Sequence, residues 1–246
     1  MYPILFRIGK INFYSHGFMI AVGFLVATTV LFWLAKREKL SQDKLFDTII
    51  YVFLIGLISS RITYFIIYYN QFNSWLDIFK FWEGGLVSWG GLIGGFIAAA
   101  IILIRQKEKV LKWFDLGTIA LLTGWAFGRV GCFLNGCCHG VKSASKLTMH
   151  GMVPIQLIES AWVLILAIAL FLLIKYRLIK NRFDGMIFLL GVGGYCIGRF
   201  IIDFWRQEDI LFLRLKPGQI ASLVVLIGVL ATFVIIMIRR SNAKKN

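Results

Sequence analysis

The chain has 246 residues, 59% apolar and 16% charged, with a mean hydropathy of +0.79. A soluble domain averages about 45–50% apolar and about 25% charged, which excludes an ordinary soluble globule, and 22 Phe, 8 Trp and 8 Tyr exclude a disordered chain. The formal net charge of +15, from 27 Lys and Arg against 12 Asp and Glu, suits either nucleic-acid binding or the loops of a membrane protein.

A membrane-spanning helix needs about 20 mostly apolar residues. Seven runs qualify: residues 12–35, 46–70, 85–104, 114–133, 154–174, 185–205 and 218–238. They lack the alternation of barrel strands, so an all-α membrane protein is expected, with residues 1–246 as one integral membrane domain. The first run is too long for a signal-peptide core and has no small-residue cleavage site after it, so an uncleaved helix is expected. Tyr14, Ser15 and His16 stand at its start, and Lys36, Arg37, Lys39 and Lys44 follow it. The second run contains Arg61. Lys80, Glu83, Gly84, Gly85 and Ser88 lead into the third, where Gly90/Gly94 and Gly91/Gly95 are small-residue pairs suited to close helix packing.

Arg105, Lys107, Lys109 and Lys112 precede the fourth run, which carries Arg129 and passes into a stretch of glycines and cysteines at 128–140. Glycine permits turns and close backbone approach, and the Arg fork suits a phosphate. The fifth run opens with Gln156 and Glu159 and ends at Lys175, Arg177, Lys180 and Arg182. In the sixth, Tyr195, Arg199 and Asp203 are four apart and share a helical face, so Asp203 can pair with Arg199 and leave donors free. Arg206, Arg214 and Lys216 precede the seventh run, and Arg239, Arg240, Lys244 and Lys245 follow it.

Alternate loops therefore fall on opposite sides. One side carries sixteen basic residues; the other carries eight, namely Arg7, Lys10, Lys80, Lys142, Lys146, Arg206, Arg214 and Lys216. The positive-inside rule puts the N-terminus outside and the C-terminus in the cytoplasm. Topology accounts for the charge without nucleic acid, except for Arg61, Arg129 and Arg199, which lie inside spans. Arginine there is tolerated mainly when it faces a bundle interior with a partner or a ligand. With this topology all three lie toward the outer leaflet, together with the polar starts of helices 1, 3 and 5.

Cys132, Cys137, Cys138 and His139 are spaced C-x4-C-C-H, which fits no usual zinc pattern. They are expected to line a turn, with no metal and no cofactor. A disulfide from Cys132 to Cys137 or Cys138 is the alternative on an oxidising side. Cys196 is expected in the core. His16, His139 and His150 fall on the outer side, where each is a candidate base or simply packed or solvated.

Five ordered blocks resemble the prolipoprotein diacylglyceryl transferases of bacterial inner membranes. Residues 128–136, Gly-Arg-Val-Gly-Cys-Phe-Leu-Asn-Gly, resemble the family's G-R-x-G-N-F-x-N-G. Residues 84–94 resemble its G-G-L-S-F-H-G-G-L-I-G, and residues 153–159 its H-P-x-Q-L-Y-E, with Pro154, Gln156, Leu157 and Glu159 kept. Residues 199–209 resemble its R-x-x-x-E-F-F-R-x-x-D, and Ser59-Ser60-Arg61 its G-G-R. The resemblance implies transfer of the diacylglyceryl group of phosphatidylglycerol to the thiol of a lipobox cysteine in an exported preprolipoprotein, with glycerol phosphate as leaving group. It implies that Arg129 binds the lipid phosphate. Arg199, held by Asp203, stabilises phosphate charge or helps to activate the thiol. Asn135 and Gly140 shape the head-group site, and Arg61, Gln156, Glu159 and Arg206 give support or access.

The chain departs from the family pattern at His16, Trp89, Cys132, Cys137, Val153 and Ile158. Trp89 replaces a histidine that is one proposed proton acceptor, so His16 or His139 is expected in that role, or Arg199 lowers the thiol pKa without a dedicated base. A paralogue with another acceptor or no activity would show the same departures. An anion transporter is a further alternative, but polar residues fade toward the cytoplasmic half and no inverted repeat is seen.

Overall fold

The computed structural model describes residues 2–9, 11–72, 74–80, 84–143, 148–149, 151–179, 183–208, 210–211 and 214–242. Among the described residues, seven helices are long and apolar enough to cross a membrane. They are α1 (Ser15–Arg37), α2 (Gln42–Ile67), α3 (Ser88–Arg105), α4 (Val110–Asn135), α5 (Ile155–Lys175), α6 (Met186–Ile202, continued by a 3-10 turn Asp203–Trp205) and α7 (Pro217–Asn242). An antiparallel hairpin of β1 (Ile4–Ile8) and β2 (Ile11–Tyr14) precedes them.

The hairpin corrects the first predicted span. Residues 12–14 are strand, because Arg7 pairs with Asn12 in register and donates Nε to its Oδ1 at 2.6 Å. Gly9, at φ +59, makes the turn. The second helix begins earlier than its apolar run, at Gln42, because Ser41 caps it by accepting from Lys44 N at 3.4 Å.

Contacts divide the chain into two compact units, residues 32–113 and residues 1–31 with 114–246. In the first, α2 packs on α3 through the glycine pairs. A Cβ on Gly91 would lie 3.1 Å from Gly56 O, and one on Gly90 or Gly94 would overlap Thr63 or Ser59. Buried Arg61 lies at this end of α2 and ties down the chain that follows. Its Nε donates to Ile78 O at 3.0 Å, and its Nη2 to Asp77 O at 2.8 Å and Lys80 O at 2.9 Å. Its Nη1 donates to Gly84 O and to Gly85 O. A guanidinium has five N–H donors, and five carbonyls receive them.

In the second unit α6 packs against both α5 and α7. The Asp115 carboxylate, fully buried on α4, accepts from Gly185 N at 3.1 Å and Phe188 N at 2.8 Å. An acidic group at a helix N-terminus satisfies orphan amides and complements the helix dipole, which fixes where α6 starts. Large apolar side chains such as Leu25, Ile165, Val224 and Ile227 point outward, as a surface in hydrocarbon requires. Ser15, Gln156, Glu159, Asp203, Arg206 and Gln219 are buried instead.

Candidate active site

Three helices of the larger unit, α4, α5 and α6, meet at Glu159. This carboxylate, 1% exposed, sits one turn into α5. Its Oε1 accepts from Trp125 Nε1 at 3.2 Å and lies 2.8 Å from Arg129 Nε, both on α4. Its Oε2 accepts from Arg199 Nη1 of α6 at 3.1 Å and from Arg206 Nη2, just past α6, at 2.8 Å. Asp203, fully buried, pairs through Oδ1 with Arg206 Nε at 2.8 Å and through Oδ2 with Arg199 Nε at 3.1 Å. Glu208, partly exposed, lies 3.7 Å from Arg206 Nε, so three guanidinium groups meet two buried carboxylates and a third at the rim. Burying charges in an apolar bundle is tolerable only with such pairing.

Arg129 has the fewest partners of the three arginines among the described residues. Its Nε faces Glu159 without the alignment of a hydrogen bond, and its guanidinium lies 5.5 Å from the centre of the Trp125 ring. Neither of its terminal nitrogens has a protein partner among the described residues. Arg199 and Arg206 each bridge two carboxylates, whereas Arg129 is anchored at one edge with a two-pronged fork left over. That fork matches two oxygens of a phosphate or carboxylate.

The end of α4 is shaped by its sequence. Gly136, at φ +76, breaks the helix; Gly136 N donates to Phe133 O and Cys137 N to Cys132 O, each at 3.1 Å. These two bonds form a Schellman turn, in which glycine takes the left-handed position at no steric cost. The chain beyond is stitched to α5 and α6: Gly140 N donates to Val153 O at 3.2 Å and Val141 N to Trp205 O at 2.8 Å. Gly140 forms an isolated bridge with Arg206. A Cβ on Gly140 would lie 2.6 Å from Val153 O and 2.8 Å from Trp205 O, so only glycine fits. Gln156 Nε2 closes the turn by donating to Cys137 O at 2.6 Å, and Asn135 lies beside the Cys137 thiol.

The structure thus gathers Arg129, Glu159, Arg199, Asp203 and Arg206 into one network and puts Gln156, Asn135 and Gly140 in the adjoining turn. His16 is placed apart from that network, with its Nδ1 4.0 Å from Cys132 Sγ, and His16 and Met19 pack on Gly131. Arg61 belongs to the other unit, with its donors on backbone carbonyls. Trp89 there is exposed. Glu83 and His150 lie outside the described residues, and the His139 carbonyl accepts from Gln207 N at 3.4 Å.

Several contributors were not singled out from the sequence. Trp125 stands one turn before Arg129, so an i, i+4 aromatic–Arg pair was the available signal. Lys216, counted as a loop charge, donates to the carbonyls of Asp203 at 2.7 Å, Phe204 at 3.1 Å and Arg206 at 2.5 Å. Gly218 admits the Asp203 carboxylate against the backbone of α7, where a Cβ would overlap it. Cys132, Cys137 and Cys138 are unbridged, with their Sγ atoms within 4.8 Å of one another. Burial pushes the Cys137 thiol up, and the hydrogen bond with Cys132 does the same to Cys138, so both stay protonated at neutral pH.

A family model for prolipoprotein diacylglyceryl transferase matches residues 3–236. The phosphatidylglycerol–prolipoprotein diacylglyceryl transferase 1 of Clostridium perfringens is 30% identical over all of this chain and 98% of its own length. Its namesake in Oceanobacillus iheyensis is 28% identical over 98% of this chain and 89% of its own length, and that of Clostridium botulinum 27% identical over 90% and 92%. The matched residues reach both compact units and all seven helices, including every member of the Glu159 network. The chain belongs to the prolipoprotein diacylglyceryl transferase family.

Proposed function

We propose that this protein carries out the first step of lipoprotein maturation in the bacterial plasma membrane. It takes the diacylglyceryl group of phosphatidylglycerol and attaches it to the lipobox cysteine of an exported prolipoprotein. The cysteine sulfur, having lost its proton, attacks the glycerol carbon; the C–O bond to phosphate breaks, its electron pair stays on the phosphate, and glycerol phosphate leaves with a thioether formed. The enzyme's main task is then to stabilise charge on the departing phosphate.

The fork of Arg129, whose terminal nitrogens have no protein partner among the described residues, carries this reading. Arg199, held by Asp203 and Glu159, keeps the second cation fixed near the leaving group. Arg206, Gln156, Asn135 and Gly140 hold the turn and the network in place, and Arg61 organises the backbone after α2. His16, beside Cys132, is a candidate acceptor for the thiol proton only if the substrate cysteine enters at that end of α4.

The test incubates purified protein in detergent with phosphatidylglycerol and a lipobox peptide and measures the peptide's mass. A diacylglyceryl gain, lost in Arg129→Ala, is the expected outcome. No gain under conditions where the C. perfringens relative is active overturns the reading. Phosphatidylglycerol retained without peptide modification would mark a lipid-binding paralogue.

A further inference from the structure

The Schellman turn that ends α4 does more than stop the helix. Its Cys137 N to Cys132 O bond folds the chain back by one residue pair, so two cysteines five apart in sequence become neighbours. Cys138 then adopts a left-handed backbone, φ +60, which a residue with a Cβ rarely takes. The result is three sulfur atoms within 4.8 Å of one another, without a bridge between any of them. Cys138 is exposed, and the other two are half-buried.

From this geometry we infer that Cys132, Cys137 and Cys138 form a three-thiolate site for a zinc ion, with the fourth position open to water. Zinc–sulfur bonds of about 2.3 Å put the sulfurs of a tetrahedral site about 3.8 Å apart. The three Sγ atoms need to draw together by about 1 Å at most to reach that separation. Side-chain rotation at Cys138, on the exposed side of the turn, can provide this. The spacing C-x4-C-C lies outside the usual patterns because those assume ligands on separate short turns; here a helix end supplies the first ligand and the residues after its cap supply the others. Binding exchanges three thiol protons for a doubly charged ion, so the site gains one negative charge. It does so one helical turn from the Arg129 guanidinium. His16 Nδ1, 4.0 Å from Cys132 Sγ, is placed to hydrogen-bond that ligand and fix its orientation. The inference does not depend on the transferase reading.

The experiment uses the full chain, purified in detergent under reducing conditions and freed of metal. Cobalt titration is expected to give a thiolate-to-cobalt charge-transfer band that saturates at a single equivalent and is displaced by zinc. Zinc is expected to block three of the four cysteines from a thiol reagent. Cys138→Ser and Cys137→Ser, both beyond the helix end, should lose the band, while Cys196→Ser keeps it. Thermal unfolding of each variant separates loss of ligands from loss of fold. A folded wild type that gives no band and retains no zinc overturns the inference, as does an undiminished band in folded Cys138→Ser.

Discussion

Glu159 accepts or pairs with three guanidinium groups and an indole N–H through two oxygens, and no other residue in the network has so many dependants. Glu159→Gln keeps the volume but supplies one acceptor and no charge. It would leave three cations with Asp203 as the remaining buried carboxylate and Glu208 at the rim. Removing one partner of a buried ion pair costs about 3–5 kcal/mol, so the variant is expected to unfold at clearly lower temperature in detergent and to lose transfer activity. A Gln variant of wild-type stability and activity would show that Asp203 suffices. The sequence disclosed the arginines, because charge in an apolar run is conspicuous, but gave Glu159 only a supporting role. Its centrality depends on α4, α5 and α6 meeting, and residues 129, 159 and 199 are brought together only by the fold.

At the scale of elements, the seven spans are legible because twenty apolar residues have few other uses. The hairpin is not, since Phe13 and Tyr14 run straight into the apolar residues of α1 and the boundary is set by pairing with β1. Arg61 shows the other limit. An arginine in a span reads as a ligand-binding group, yet here the chain after α2 returns over it and its five donors meet carbonyls, an arrangement a lysine with three donors could not reproduce. The turn after α4 makes a sharper prediction. Gly140 has backbone oxygens on either side, and backbone gives way less readily than a side-chain tip. Gly140→Ala is expected to push the turn off α5 and off Trp205, disturbing Arg206 through the bridge they share. Transfer activity should fall by more than the loss of thermal stability explains, and activity equal to wild type in a folded Gly140→Ala would refute the link.

For the whole molecule, the basic loops give an orientation that composition alone could not. With sixteen basic residues on one side against eight on the other, the positive-inside rule predicts the N-terminal hairpin outside and the α3–α4 connection in the cytoplasm. Single reporter cysteines in a background lacking the native four would test this. Tyr2→Cys should react with a membrane-impermeant maleimide on intact cells, and Lys109→Cys only after the cells are opened. The reverse pattern would invert the topology and take the outer-leaflet reading of the arginines with it.

The hairpin's attachment has a practical consequence. Tyr2 N donates to Leu134 O at 3.0 Å, and Ser15, the first residue of α1, binds back to Pro3 and Tyr2, so the second residue of the chain is sewn to the last turn of α4. A fluorescent protein or affinity handle fused ahead of Tyr2 would tug on the end of the helix that carries Arg129. The far end of α7, 26 residues and about 39 Å from its start beside Asp203, offers a mooring where such a burden would go unfelt.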